Sequence, residues 1–167
     1  MNPFDMLLPK KWKRGRQMPR TLEATVMEVT VLLLVLAEWV TTALLLVHGT
    51  ENIPTHYDLK GNPDGWGSYV FILFPILGSL LPALYLYSAY RPDSEIVHLP
   101  VKVKSLRQCQ LAARLHRIDG IIMAFLFLYI NLTLYRPDMF PHVLVFVVAA
   151  ILLLVVFIFS VMIRNAR

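Results

Sequence analysis

Few side chains in this chain could do chemistry, and most gather around one short stretch: His48, Glu51, His56, Asp58 and Asp64, with Asp138 and His142 further along. Imidazole and carboxylate are ligands that zinc accepts. In an extended segment His56 and Asp58 point to one face. His56, Asp58 and His142 are therefore the candidate metal ligands, with zinc the candidate ion. No helical His-Glu-x-x-His and no cysteine cluster accompanies them. The alternative is structural, with His48 and His142 capping helix ends and His56 bonding the loop backbone. Cys109 is the single cysteine, so it makes no internal disulfide, and no Cys or His lies at metal spacing from it. The sequence contains no Ser-His-Asp order, phosphate-binding loop or dinucleotide fingerprint.

Glu38 offers a second kind of chemistry. It stands inside an apolar run ten residues before His48, about 15 Å along a helix. An ionised carboxylate at mid-bilayer costs about 2.5–3.5 kcal/mol or more, so the neutral acid is favoured and should face other helices. Pro82 lacks an N–H and frees the carbonyl of Gly78. That carbonyl and Ser79 are the expected partners, with Thr41 and Thr42 one turn from the acid. Two roles stay open: hydrogen-bonded glue between helices, or a proton or ion relay. A relay lacks an evident second mid-membrane acid. Glu28, near the start of the same run, is expected to snorkel or pair with a base.

These groups must be positioned by helices of a particular kind. Of the 167 residues, 57% are hydrophobic and 16% charged, and mean hydropathy is +0.59. Globular domains run near 45–50% apolar and about 25% charged. The apolar residues fall in blocks of the length a bilayer needs, about 20 residues each. A soluble enzyme, a disordered chain and a secreted disulfide scaffold are excluded. The sequence predicts an all-α, integral-membrane bundle of four helices at about 26–47, 69–90, 118–135 and 143–163, within a membrane domain at 26–163. The apolar part of the third span, 121–135, is short and is expected to extend back with Arg114 and Arg117 snorkelling. Asp119-Gly120 reads as a helix N-cap. The sequon at Asn131 lies within a span, out of reach of any transferase.

Basic residues set the orientation. Residues 1–25 form a basic tail, which reads as retained rather than as a signal peptide because the following apolar run is too long. The tail, the 91–117 connection and the C-terminal end together hold fourteen of the sixteen Lys and Arg; Lys60 and Arg136 are the other two. Positive charge stays in the cytoplasm, so both termini are expected inside. The net charge of +5 is thus an orientation signal, and no nucleic-acid partner is expected. Ser105–Arg117 is expected to form a short interfacial helix, held against anionic lipid or bound to a partner.

The outer loop, 49–68, is the most specific segment. Asn62-Pro63-Asp64-Gly65 fits a type I turn, and Tyr57 and Trp66 suit a membrane interface. Its pattern Ile53-Pro54-x-His56-Tyr57, then Gly61-x-Pro63-Asp64-Gly65-Trp66-Gly67-Ser68, resembles a bacterial membrane domain of unknown function. That domain opens the SdpI-type proteins, immunity factors against the sporulation-delaying-protein toxin. The resemblance covers roughly residues 26–92. Longer members carry a later Gly-x-Arg-Thr-like segment; here the chain reads Arg91-Pro92-Asp93-Ser94-Glu95. The resemblance therefore implies the domain and leaves the immunity role open.

Three readings follow. The first is a non-enzymatic protein of the bacterial inner (plasma) membrane that recognises a ligand, such as an amphipathic peptide or another membrane protein. Its candidate ligand-binding residues are Pro54, His56, Tyr57, Asp58, Gly61, Asp64, Gly65, Trp66 and Glu38. The second is an intramembrane metal-dependent enzyme using His56, Asp58 and Glu38. The third is a transporter or accessory subunit coupled to protonation of Glu38.

Overall fold

The computed structural model describes residues 18–48, 53–58, 62–67, 70–92, 99, 101–136, 139–141 and 143–166. Four helices carry the fold: α1 (Leu22–His48), α2 (Leu73–Tyr90), α3 (Leu106–Tyr135) and α4 (Val143–Asn165). Each is long and apolar enough to cross a membrane. A two-stranded antiparallel hairpin, β1 (Pro54–Tyr57) and β2 (Pro63–Trp66), joins α1 to α2. A single 3₁₀ turn, Val70–Ile72, leads into α2.

The apolar pattern of α1 explains its seat. Ala24, Val31, Glu38 and Leu45 recur every seven residues and all four are buried. Leu22, Val26, Val29, Leu32, Leu33, Leu36 and Val40 are exposed. A seven-residue repeat keeps one face of a helix on its neighbours, and the other face is left for lipid. Thr21 caps the helix by accepting the Ala24 N–H at 3.1 Å. α1, α2 and α4 all pack on α3, which is the central helix, and α4 uses a different face of it, at Ala112 and Leu115. In α4 only Val148 and Ile163 are buried, Val155, Val156 and Phe159 pack partly against α3, and the exposed apolar remainder is left for lipid.

α3 is where the structure departs most from the sequence reading. The interfacial helix expected at Ser105–Arg117 is its first three turns, and the 30-residue helix runs about 45 Å without a break. A capping box starts it: Ser105 Oγ accepts the Gln108 N–H at 3.2 Å, and Gln108 Oε1 accepts the Ser105 N–H at 3.1 Å. Asp119 consequently lies in mid-helix, not at an N-cap. These first turns are buried on both sides. Cys109 and Ala113 pack with Met18, and Ala112 and Leu115 pack with Ile163 of α4.

The turn of the hairpin is also displaced. Asn62-Pro63-Asp64-Gly65 is not the reversal, because Pro63–Trp66 is strand β2. The Asp58 carboxylate accepts the Asn62 N–H at 2.8 Å, and the Asp58 N–H donates to the Asn62 carbonyl at 2.9 Å. An aspartate that bonds backbone a few residues on builds a turn itself. Pro63 then opens a strand, a position that tolerates its missing N–H.

Candidate functional site

Two places gather polar side chains. The first is the hairpin. His56 pairs with Asp64 across the strands through Nδ1 and Oδ1, and both side chains are well exposed. Asp58 is turned to Asn62, with Nδ2 donating to Oδ2 at 3.2 Å. His56 and Asp58 are thus committed to different partners. Gly61 and His142 lie outside the described residues, as does the side chain of Tyr57. Among the described residues, no group of three or more His, Cys, Asp and Glu side chains is gathered to hold a metal ion. Trp66 stands 59% exposed on β2. The hairpin is seated on the helices by Ile53, which packs with Leu45, Phe71 and Leu134.

The second place is the interior of α1, α2 and α3. At the end away from the hairpin, Glu28 is the hub. It pairs with Arg20 at 3.0 Å and Arg117 at 3.5 Å, and accepts the Tyr90 hydroxyl at 2.5 Å. The Arg117 guanidinium also lies over the Tyr90 ring, 5.0 Å from its centroid. Glu28 thus finds the basic partner expected for it. Arg117 was expected to snorkel, but it is buried, because its helix face turns to α1 and α2 rather than to lipid. Arg114 is exposed and bonds Glu23 at 2.8 Å.

His116 lies beside Arg117, one residue nearer the start of α3; Asp119 and then Glu38 lie deeper, and all three are buried. The Glu38 carboxyl rests on Gly78, so closely that a Cβ at that position would overlap it. A missing side chain on α2 therefore makes room for the acid. The helices meet where the sequence places them, but the expected hydrogen bond is not made. Ser79 accepts from Trp39 Nε1 at 2.9 Å and donates to the Pro75 carbonyl at 2.7 Å. Thr42 donates to the Glu38 backbone carbonyl at 2.9 Å. Neither carboxyl oxygen of Glu38 has a hydrogen-bond partner among the described residues. Above it, Asn131 is fully buried and donates to Thr42 Oγ1 at 3.1 Å.

Asn131, His116 and Asp119 escaped the sequence reading as interior groups. Their signal is the spacing of small and polar residues along α3: Ala112, His116, Gly120, Ala124 and Asn131 recur at four and seven. Small residues mark the packed face of a membrane helix. Here Gly120 lies against Tyr85 and the Pro82 carbonyl of α2.

The fold and this interior define a multi-pass helical membrane protein, with apolar helix faces turned to lipid. Residues 33–78 match the family model of a domain of unknown function, DUF1648. The matched stretch runs from α1 through the hairpin and ends at Gly78, so it holds both the hairpin and the Glu38–Gly78 contact. No curated protein and no solved structure matches the chain.

Proposed function

We infer that the protein is a bacterial inner-membrane receptor-type protein, with both termini in the cytoplasm, whose hairpin recognises an amphipathic peptide on the outer face. The observation that carries this reading is the hairpin itself. It is firmly seated through Ile53, yet presents Trp66 and two strand edges that pair with no other described strand. An open strand edge accepts an extended peptide through main-chain hydrogen bonds, and an exposed indole supplies an apolar anchor. The domain match covers this segment. The loop pattern also resembles SdpI-type proteins, which makes the sporulation-delaying-protein toxin the peptide to try first.

Orientation is tested by cysteine labelling. Native Cys109 is a poor reporter because it is buried, so it is first replaced by alanine. A cysteine at Lys60 should then react with an impermeant maleimide in intact cells. One at Lys102, which is exposed, should react only after lysis. The reverse pattern would invert the topology.

Recognition is tested with the toxin peptide and the protein in nanodiscs. Trp66→Ala should leave the fold intact and weaken binding roughly thirty-fold, about 2 kcal/mol, as for a central aromatic anchor. Equal binding to wild-type and empty nanodiscs would reject this peptide as the ligand.

A further inference from the structure

We propose that the interior of α1, α2 and α3 is a proton-binding half-path, which loads Glu38 from the Arg117–Glu28 end and is shut at the hairpin end. The path is traced by polar atoms without partners. Glu38 Oε1 and Oε2, Asp119 Oδ1, His116 Nδ1, Ser88 Oγ and Asn131 Oδ1 are all buried, and none has a hydrogen bond to a described residue. Buried polar groups in folded proteins are nearly always satisfied, and each exception calls for an explanation. Here the exceptions are concentrated in one interior and include both acids that lie beyond the Arg117–Glu28 pair.

The order along the path follows from the helix rise. Arg117 and Glu28 are in contact and mark one level. Asp119 lies about 3 Å and Glu38 about 15 Å further in, at 1.5 Å per residue. Gly120, next to Asp119, touches Pro82, and Gly78 one turn along α2 touches Glu38. The two acids therefore line the same α2 contact about 12 Å apart along the helix axis, too far for direct transfer, so the path between them runs through water. Asp119 supplies the second acid that the sequence reading lacked.

A glue role requires a hydrogen bond between helices, and the Glu38 carboxyl makes none to any described residue. A carboxylate with no countercharge is costly in the bilayer core, so the resting acid carries its proton. Its oxygens remain open to a water or hydronium.

The charged and titratable groups facing this interior are Glu28 and Glu38 on α1, Tyr85 and Tyr90 on α2, and His116, Arg117 and Asp119 on α3. Arg20, just before α1, holds the mouth through Glu28. In α4 no charged side chain is buried. At the hairpin end the polar line stops. Above Asn131 and Thr42 the interior is filled by Leu45, Ile53, Phe71 and Leu134, with Phe74 and Tyr135 packed against them, and the Thr133 hydroxyl is spent on the Ile130 carbonyl of its own helix at 2.7 Å. Such a plug conducts no protons. Access is consequently one-sided.

The test is infrared spectroscopy of the full chain in liposomes during transfer from H₂O to D₂O. The carbonyl stretch of a protonated carboxyl shifts on deuteration, so each acid reports its own exchange. Glu38→Gln should remove one such band and identify it. In wild-type protein that band should shift promptly. In Asp119→Asn it should shift roughly a hundredfold more slowly, the size of a lost proton-transfer group, with unchanged thermal stability. His116→Phe should slow it in the same direction, which keeps the test open if one variant folds poorly. A Glu38 band that stays unexchanged in wild type would make the acid sealed glue and overturn the proposal. Prompt exchange in both variants would overturn the route through Asp119. Neither result bears on peptide binding at the hairpin.

Discussion

Glu28→Ala should be the most destabilising single change at the end away from the hairpin, costing about 3–5 kcal/mol. Arg117 is buried, and Glu28 is its only carboxylate partner among the described residues. Truncation leaves a desolvated guanidinium uncompensated, and the Tyr90 hydroxyl loses its acceptor as well. The loss therefore exceeds that of the exposed Arg114–Glu23 pair, whose removal should cost about 1 kcal/mol or less. Replacing both buried partners tells charge from packing. Glu28→Gln combined with Arg117→Met should recover much of the stability, since an apolar substitute for a buried ion pair is often neutral. Unfolding of purified protein in mixed detergent micelles is the measurement. A wild-type midpoint for Glu28→Ala would mean that water reaches Arg117.

Phe71→Ala should have a comparable effect at the other end, about 3–5 kcal/mol, as for a fully buried aromatic. Phe71 is completely inaccessible and packs with Leu45, Ile53 and Leu134, joining the hairpin to two helices. The hairpin should consequently loosen before the helices separate. Protease cleavage within 53–67 should accelerate while the helices stay protected. Phe71→Leu, which keeps apolar bulk, should restore most of the protection. Unchanged cleavage in Phe71→Ala would mean that the hairpin is held by its backbone bonds, such as Gly67 N–H to the Ile53 carbonyl at 3.2 Å.

The helices were legible in the sequence because membrane spans are written in residue type alone. Twenty apolar residues need no partner to be recognised. Glu38 was legible for the same reason, as a charge inside such a run. The length of α3 was obscured because its first turns mix bases with Leu and Ala, the composition of a surface helix. Those turns are covered by Met18 and Ile163, residues far apart in the chain. Arg117 and Asp119 were misplaced together, since a local reading assigns each to the membrane edge. Only the contact with Glu28 brings Arg117 inside. The hairpin turn was missed because Asn-Pro-Asp-Gly is a strong local pattern, whereas the Asp58 carboxylate acts from four residues away.

The attachment of α4 has a consequence for how the molecule is made. α4 adds no buried polar side chain, and its polar ties to α3 run through backbone carbonyls: Gln108 Nε2 to Ile163, and Tyr129 to Pro141 just before the helix. α1 and α3, by contrast, each carry groups that lipid tolerates poorly, and α2 supplies the gap at Gly78 that receives one of them. During synthesis the first three helices must meet before any is released into the bilayer, whereas α4 can enter by itself. Biogenesis is thus ordered by chemistry. The insertion machinery has to retain α1 until α3 emerges, about ninety residues later in the chain by the spacing of Glu28 and Arg117.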